Sequence, residues 1–400
     1  MIERLGNTTL SQKGRLMILV GRSEMDAKTI EDFRSVLNSN LNWKNVSARL
    51  KWHKLLSLFF FHLKEHGQDY VPEDVFAHHE QLFHKNVRRN MIFAKELLRV
   101  ITLFEQNNIT IIPYKGTVLA AQAYGNLTLR ECADLDVLIC KSNVNLAREL
   151  LIESGYEAEI NIKPQHQSAL FWSECDQVFI NKELNIYLEL HWGITPPYFS
   201  FPLETEQLIK NHKEFDFMGR KVLTPSTEDL ILILCVNATK EMWRNLEWLC
   251  SLSEIIRQNE NVDWALLIEI SRKLRSLRMV LLGLYLTKEI FQVKLSDEVL
   301  MQIKNDKAAI ETLAEKVYTS LFSEYKSNAG LININLFRLK ARESWRDKIR
   351  YCTLRFLTPT HHDLNFISLS QKFLWLYYFV RPVRLFVELF QTKAATKQES

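Results

Sequence analysis

The sequence predicts an α+β fold in which an α/β core with a small mixed sheet lies between two helical regions. Three observations predict this arrangement. Apolar residues recur at helical spacing through about the first 105 residues, strand-like runs alternate with helical ones between 106 and 224, and helical spacing returns from 225 onward. We therefore expect an N-terminal helical region over 1–105, an α/β core over 106–224 and a C-terminal helical region over 225–400.

The composition is that of a globular protein kept in a reducing compartment. Of the 400 residues, 47% are hydrophobic, which suffices for a sizeable core. The net charge of +4 permits contact with a polyanion without requiring it, so it gives no strong indication of a nucleic-acid partner. The six cysteines show no C-x-x-C spacing, and the first residues lack the apolar core of an export signal. We expect reduced thiols and a cytoplasmic location.

The N-terminal region is predicted to be helical because its apolar residues lie three and four positions apart. The predicted helices run from Thr29 to Leu37, from Ser47 to Leu63 and from Phe83 to Gln106. Their spacing is typical of amphipathic helices with a broad buried face.

Strand and helix patterns alternate in the core region. The predicted order is a strand to Tyr114, a helix to Tyr124, a strand over Leu135–Cys140, a helix over Asn143–Ser154, and strands over Glu157–Ile162, Gln177–Ile180 and Asn185–His191. Asn143 suits the N-cap of its helix, and Gly155 suits a C-terminal stop.

The C-terminal region begins with a helix-capping pattern, Ser226-Thr-Glu-Asp229, before an apolar run. Further helices are predicted over Leu246–Ile256, Trp264–Leu274 and Met279–Phe291.

An aromatic-rich stretch over 372–390 falls short of the roughly 20 apolar residues of a membrane span, and Pro382 is expected to end or kink a helix there. It predicts either a helix docked on the protein or an interfacial membrane helix carrying Lys372, Arg381 and Arg384, and a frayed tail over Gln391–Ser400.

Two carboxylates, Asp134 and Asp136, stand one residue apart within an apolar run. Side chains of a strand repeat every second residue, so both acids project from one face, about 6.6 Å apart at a rise of about 3.3 Å per residue. Such a pair is suited to hold one or two Mg²⁺ ions. An Asp-x-Asp pattern is also common at solvated strand ends, and that interpretation stays open.

The residues upstream of this pair have a pattern typical of phosphate binding. A strand runs into Lys115, Gly116 and Thr117, after which a helical pattern begins. A glycine turn at a helix N-terminus lets the backbone approach phosphate closely, and Lys115 adds positive charge unless it is a surface lysine. Arg130 has two plausible tasks, which are clamping a phosphate and pairing with one of the aspartates.

A third acid, Glu189, lies in a strictly alternating run that ends at His191. The alternation predicts a strand with both residues on one face, and the three carboxylates converge if this strand lies beside the one with Asp136. His191 is then a residue that orients Glu189 or contacts substrate, or a core histidine with a satisfied hydrogen bond.

A wider set of residues resembles one family across most of the chain. The set comprises Tyr114-Lys-Gly-Thr117, Tyr124, Arg130, Asp134-Leu-Asp136, Gly155-Tyr156, Leu188-Glu-Leu-His-Trp192, the helical segment from Cys235 to Lys240, Trp243, Leu246, Trp248-Leu-Cys250, Asp263-Trp264 and Arg381-Pro382. It resembles the bacterial family of uncharacterised nucleotidyltransferases, within the polymerase-β-type superfamily. This family is often encoded near peptide-modification or polysaccharide genes.

The resemblance implies a polymerase-β-like core and a Mg²⁺- or Mn²⁺-dependent transfer of a nucleoside monophosphate from a nucleoside triphosphate, with ATP expected, to a hydroxyl. The acceptor is a small molecule, a peptide or a protein. Asp134, Asp136 and Glu189 are the implied catalytic metal ligands, with Glu189 alternatively accepting the hydroxyl proton. Lys115, Gly116, Thr117 and Arg130 are the implied nucleotide-binding residues, and His191 lies behind the ligands.

The sequence also departs from the family pattern. Lys115 precedes Gly116-Thr117 where the superfamily has a glycine-serine pair, and the gap to Asp134 is longer than usual. Asn237, Glu241 and Ser251, which we call the three changed positions, replace a His, a His and an Asp of the family pattern. These departures leave open a catalytically silent scaffold with the same fold. The aromatic stretch leaves open a second alternative, a helical protein resting on a membrane through 372–390.

Overall fold

The computed structural model describes residues 4–160, 171, 173–323, 331–360, 363, 366–367 and 371–384. It confirms the predicted α+β class, with a small mixed sheet between helical regions. Within these described ranges, no helix has both the length and the apolar character that a membrane crossing requires. The three-part division of the chain remains a prediction.

The N-terminal region contains a two-stranded hairpin and five helices. They are β1 (Arg4–Leu5), β2 (Thr8–Thr9), α1 (Gln12–Val20), α2 (Ala27–Leu37), α3 (Trp43–His53), α4 (Leu56–His66) and α5 (Glu73–Gln106). The single helix predicted from Ser47 to Leu63 is wrong, because Lys54 adopts a left-handed conformation with φ of 56° and separates α3 from α4. The Glu131 carboxylate accepts a hydrogen bond from the Leu56 amide at the start of α4, at 2.7 Å.

The core region contains the five-stranded sheet, in the order β3-β4-β7-β6-β5. Its elements are β3 (Ile111–Pro113), α6 (Gly116–Tyr124), β4 (Leu135–Ile139), α7 (Val144–Glu153), β5 (Glu157–Ala158), β6 (Asp176–Asn181) and β7 (Ile186–His191). β4 and β7 pair in parallel, and every other pair is antiparallel. The sheet is therefore mixed, as predicted.

Three details of the core differ from the predictions. Asn143 makes no side-chain cap to α7, because a short 3-10 turn, Lys141–Asn143, leads into that helix. The strand predicted over Glu157–Ile162 ends at Ala158, and residues 161–162 lie outside the described part of the chain. The sequence interpretation missed α8 (Thr205–Lys210) and the hairpin of β8 (Lys213–Phe217) and β9 (Arg220–Thr224), whose turn contains Gly219.

The C-terminal region is helical throughout its described part. Its elements are α9 (Thr227–Lys240), α10 (Glu247–Gln258), α11 (Trp264–Lys273), α12 (Leu277–Phe291), α13 (Asp297–Asn305), α14 (Lys307–Phe322), α15 (Leu331–Lys340), α16 (Trp345–Leu357), a 3-10 segment Gln371–Leu376 and a final helical segment 377–384. The Ser226 hydroxyl accepts from the Asp229 amide at 3.1 Å, so the predicted cap is confirmed.

Two hydrophobic cores hold the sheet from opposite sides. The larger one joins the N-terminal and C-terminal helices to Ile112, Tyr114 and Leu138 of the core region. The smaller one lies between the sheet and α5 and α7 and contains Val137 and Leu188. Because the larger core is continuous from the first helices to the last, the helical regions form one body around the sheet.

The end of the chain corrects the prediction for the aromatic stretch. Arg381 and Arg384 do not face outward, because both are buried and both bind the Asp363 carboxylate. The helical segment 377–384 continues through Pro382, so this proline does not end it. Residues 385–390 and the predicted frayed tail Gln391–Ser400 lie outside the described ranges, as does the side chain of Lys372.

Gly283 allows α12 to pack closely against α9, which gives the first testable prediction. A Cβ at this position would lie 2.6 Å from the Cys235 sulfur and 2.9 Å from the Trp243 ring. Alanine normally favours a helix interior over glycine by about 1 kcal/mol. Here we expect Gly283→Ala to lower the free energy of unfolding by about 1–3 kcal/mol, because the contact is overpacked.

Chemical denaturation measures this change. The double variant Cys235→Ala/Gly283→Ala is the matched control, since removing the sulfur opens space for the new methyl group. We expect Gly283→Ala to lower the free energy of unfolding less in the Cys235→Ala background than in the parent protein. A stabilising Gly283→Ala would contradict the packing described.

Candidate active site

The site is built on the parallel pairing of β4 and β7. In this register Asp136 lies directly opposite Glu189, and Leu138 lies opposite His191. Side chains of registered neighbours stand side by side on one face of a sheet. The predicted convergence of Asp136 and Glu189 is therefore observed.

His191 links the two acids. Its Nε2 lies 3.2 Å from Asp136 Oδ1 and 3.2 Å from Glu189 Oε2. The imidazole is buried and contacts the Tyr114 ring edge-on, with ring centroids 5.4 Å apart. This geometry fits two of the three roles predicted for His191, namely orienting Glu189 and being a buried histidine with a satisfied hydrogen bond, and the choice among the three remains a prediction.

Lys115 provides the second cation of the cluster. Its Nζ donates to Asp136 Oδ1 at 2.8 Å and lies 4.9 Å from the centre of the Tyr114 ring. The side chain is only 16% exposed, so Lys115 is not the surface lysine that the alternative interpretation described. In this structure its charge neutralises Asp136.

The pKa values of the cluster follow from these contacts. Burial alone would raise the pKa of Asp136, but Lys115 and His191 lower it well below its usual value. Burial lowers the pKa of Lys115 and of His191, yet their neighbours, Asp136 among them, raise both well above the usual values. Asp136 is thus a carboxylate held between two cations at neutral pH.

Asp134 occupies a different position from its predicted partner. It lies one residue before β4 begins, and it makes no hydrogen bond with any other described residue. Burial, together with the charges of Asp136 and Glu189, raises the pKa of Asp134 to about 6. The site therefore holds an excess of negative charge that its own cations do not neutralise.

Gly116 brings the turn that was predicted to bind phosphate close to the backbone of Asp134. Its φ is +57°, and a Cβ here would lie 3.1 Å from the Asp134 carbonyl oxygen, so a side chain would be both strained and crowded. Gly116 also begins α6, whose N-cap, Lys115, makes no side-chain cap. The first amides of α6 are left for another acceptor.

Thr117 lies deeper than its predicted role suggests. Its side chain is fully buried, and its hydroxyl has no hydrogen-bond partner among the described residues. Contact between this hydroxyl and a phosphate remains a prediction.

Arg130 does not pair with either aspartate, which corrects one of its two predicted tasks. Its Nε donates to Glu247 Oε1 of α10 at 2.7 Å, and its Nη1 donates to the Gly116 carbonyl at 3.3 Å. Asn86 and Asn90 of α5 donate to the Arg130 carbonyl. The buried guanidinium therefore ties the turn to α10, and the backbone carbonyl of Arg130 ties it to α5, so Arg130 supports the turn from behind. Phosphate clamping remains a prediction.

The three changed positions lie at different depths. Ser251 donates to Glu247 at 2.7 Å, so it belongs to the support of Arg130. Asn237 is buried, and neither polar atom of its side chain has a hydrogen-bond partner among the described residues. Glu241 pairs with Arg244 in a more exposed contact.

The donor atoms suit a divalent cation. A carboxylate oxygen of Asp136, one of Glu189 and a nitrogen of His191 lie within 4.8 Å of one another. Carboxylate oxygens are the ligands that Mg²⁺ and Mn²⁺ prefer, so Asp136 and Glu189 fit these ions. Because its neighbours raise the pKa of His191, this imidazole would join them as a ligand only after losing its proton. Asp134 stands outside this set, and the charges of Asp136 and Glu189 contribute to its raised pKa.

Sequence reasoning missed several residues beside the site. Cys175 and Asp176 lie next to His191 and form a second possible donor set with it. Asp176 had a detectable pattern, because the alternation of β6 places it opposite His191 in the register. Glu247 had none, since a single acid in a helix gives no spacing to interpret.

This chain can be compared with known protein families, curated proteins and solved structures. A family model described as "Uncharacterised nucleotidyltransferase" matches residues 39–292, which is more than half of the 400 residues. No curated protein and no solved structure gave a match. The matched span begins within the N-terminal helices and ends just after α12, so it includes every residue of the site.

Removing Lys115 tests how strongly the buried pair contributes to stability. Loss of one partner leaves a buried charge less well compensated, so we expect Lys115→Met to lower the free energy of unfolding by about 2–4 kcal/mol. Lys182→Met is the matched control, since Lys182 pairs with Glu157 at 2.6 Å in an exposed position. That variant should change stability by under about 1 kcal/mol in the same denaturation experiment. Equal effects of the two substitutions would contradict the burial argument.

Asp134 gives a prediction about pH. A carboxyl whose folded pKa is raised to about 6 binds a proton more readily in the folded state, so its contribution to stability falls as pH rises from about 4 to about 6. Asp134→Asn carries no charge and should be more stable than the parent by about 3 kcal/mol at pH 7.5, since a change of one in pKa corresponds to about 1.4 kcal/mol. The difference should vanish below pH 4. Thermal unfolding across this range measures it, and a constant difference at all pH values would rule out the electrostatic cause.

Proposed function

Since the chain belongs to the uncharacterised nucleotidyltransferase family, we propose that its acidic cluster transfers a nucleoside monophosphate from a nucleoside triphosphate to an acceptor hydroxyl. ATP is the proposed donor, and Mg²⁺ or Mn²⁺ the proposed cofactor. The acceptor is a small molecule, peptide or protein in the cytoplasm, in keeping with a peptide- or polysaccharide-modification pathway.

One observation carries this proposal. Asp136 and Glu189 are register partners on parallel strands. One carboxylate oxygen from each and a nitrogen of His191 all lie within 4.8 Å of one another. Two carboxylates this close repel each other by roughly 3–4 kcal/mol at an effective dielectric constant of about 20. A divalent cation relieves this repulsion, and when bound it would polarise the reacting phosphoryl group.

Lys115 is proposed to change partner when the nucleotide binds. Its ammonium now neutralises Asp136, and a cation at the carboxylates would release it. The start of α6 lies next to Lys115. The first N–H groups of this helix receive no side-chain cap and are suited to donate hydrogen bonds to an anion. The triphosphate is therefore proposed to lie between Lys115 and the first turn of α6, with Arg130 holding the Gly116 carbonyl in place.

Glu189 is the proposed proton acceptor. Its side chain is 31% exposed, whereas that of Asp136 is 3% exposed, so an incoming hydroxyl reaches Glu189 first. The hydroxyl oxygen bonds to the α-phosphorus, its proton passes to the Glu189 carboxylate, and the bond from the α-phosphorus to the bridging oxygen breaks. Pyrophosphate leaves, and His191 fixes the orientation of the carboxylate.

A catalytically silent scaffold is the second candidate. The observation in its favour is that Lys115 and His191 already neutralise Asp136, which makes the cluster stable without a metal. Calorimetry with ATP distinguishes the two candidates. Metal-independent binding without pyrophosphate release supports the scaffold, and metal-dependent binding with release supports the enzyme.

Substitution of the two register partners tests the activity. We expect Asp136→Asn and Glu189→Gln to reduce the transfer of labelled nucleotide by about a hundredfold or more, because each removes charge from the reacting centre. Glu189→Gln is the cleaner variant, since it leaves the pair of Lys115 with Asp136 intact.

Glu157→Gln is the control, because Glu157 is an exposed acid on the edge strand β5 of the same sheet, which β6 separates from β7. It should keep full activity. Unchanged transfer by Glu189→Gln, with folding verified by thermal unfolding, would remove Glu189 from the mechanism.

A further inference from the structure

The last described part of the chain presents an unusual amount of apolar surface. Nine large hydrophobic side chains among the described residues are more than half exposed, and seven of them lie between residues 345 and 383. The seven are Trp345, Ile349, Phe356, Phe373, Trp375, Phe379 and Val383. Surface of this kind in a soluble domain marks an interaction site when it is contiguous.

Most of these side chains follow helical spacing. On α16, Trp345, Ile349 and Phe356 lie within about 40° of one another at 100° per residue, so they form one apolar stripe. Trp375, Phe379 and Val383 are spaced by four residues, and the first two rings touch edge-on with centroids 6.2 Å apart. We call these six residues the C-terminal stripes.

The two stripes belong to one body. Arg381 donates to the Arg355 carbonyl of α16 through Nε at 3.3 Å and Nη2 at 3.2 Å. Arg381 also binds Asp363, whose carboxylate is fully buried. The helical segment 377–384 is therefore fixed against the end of α16.

The part of the chain that carries the stripes is basic in sequence. Residues 331–384 contain ten Lys and Arg against three Asp and Glu, a net charge of +7 where the whole chain has +4. The remainder of the chain is thus slightly acidic. On α16 the exposed Arg346 and Arg350 lie on one side of the apolar stripe, and Lys348 lies on the other.

We propose that α16 and the segment 377–384 bind the surface of an anionic lipid bilayer. An apolar stripe with aromatic residues and basic flanks is the pattern of a helix that lies in the membrane interface. The charge complementarity selects this occupant, since a bilayer rich in anionic lipid attracts each nearby Lys or Arg. The basic residues that act are those of α16, because Arg381 and Arg384 are turned inward to Asp363.

The test is co-sedimentation of the full chain with vesicles. One set contains equal parts of phosphatidylcholine and phosphatidylglycerol, and the other contains phosphatidylcholine alone. We expect binding to the anionic vesicles to be at least about tenfold tighter, with a blue shift of tryptophan fluorescence as Trp345 and Trp375 enter the interface.

Two variants separate the apolar and electrostatic contributions. Trp345→Ser/Phe356→Ser should weaken binding by at least about tenfold through lost apolar burial. Arg346→Glu/Arg350→Glu should weaken it by at least about 25-fold, given about fivefold for each charge. Ile152→Ser/Met301→Ser is the matched control, because these two side chains are equally exposed but lie outside the stripes. It should bind as the parent does.

Several results would overturn the proposal. One is a parent protein that stays in the supernatant with anionic vesicles, including the case in which the stripes instead mediate dimers in analytical ultracentrifugation. A second is an apolar variant that binds as well as the parent, which would leave only non-specific charge attraction. A third is preferential binding of a single-stranded oligonucleotide that abolishes vesicle binding by the parent.

Discussion

The repulsion between carboxylates on adjacent parallel strands is the constraint on which the centre of this protein depends. The register of β4 and β7 places Asp136 beside Glu189, and Asp134 lies directly before the first residue of β4. Acids this close, and this poorly solvated, are stable only beside positive charge. Lys115 and His191 provide it for Asp136, whereas Asp134 is left with a raised pKa. A site with this imbalance is prepared for a further cation.

The surrounding helices keep that arrangement from relaxing. Arg130 lies under the Gly116 turn and is held by Glu247 from the C-terminal helices and by Asn86 and Asn90 from α5. Burial alone would raise the pKa of Glu247, but Arg130 and then Lys54, at the break between α3 and α4, lower it below its usual value. Residues far apart in the chain therefore converge behind one turn, and a continuous core makes their positions rigid.

Much of the site was predictable because its chemistry is encoded in short spacings. Alternation in β7 placed Glu189 and His191 on one face, and the Asp-x-Asp spacing around Leu135 marked the neighbouring strand. The fold class followed from the change between helical and alternating patterns. The helix break at Lys54 was not predictable, because a left-handed lysine has no sequence pattern that distinguishes it from an ordinary helical one. The partner of Arg130 was missed for a related reason, since Glu247 is 117 positions away.

The sequence by itself determined which residue types were available, where strands and helices form, and which side chains share a face, because these properties depend on neighbours within a few positions. Only the tertiary structure decided which charges meet. It paired Lys115 with Asp136, Arg130 with Glu247, and Arg381 and Arg384 with Asp363. Beside the C-terminal stripes, the exposed basic residues that the structure describes are therefore those of α16. Electrostatic pairing depends on distance in space and on burial, and neither is set by separation along the chain.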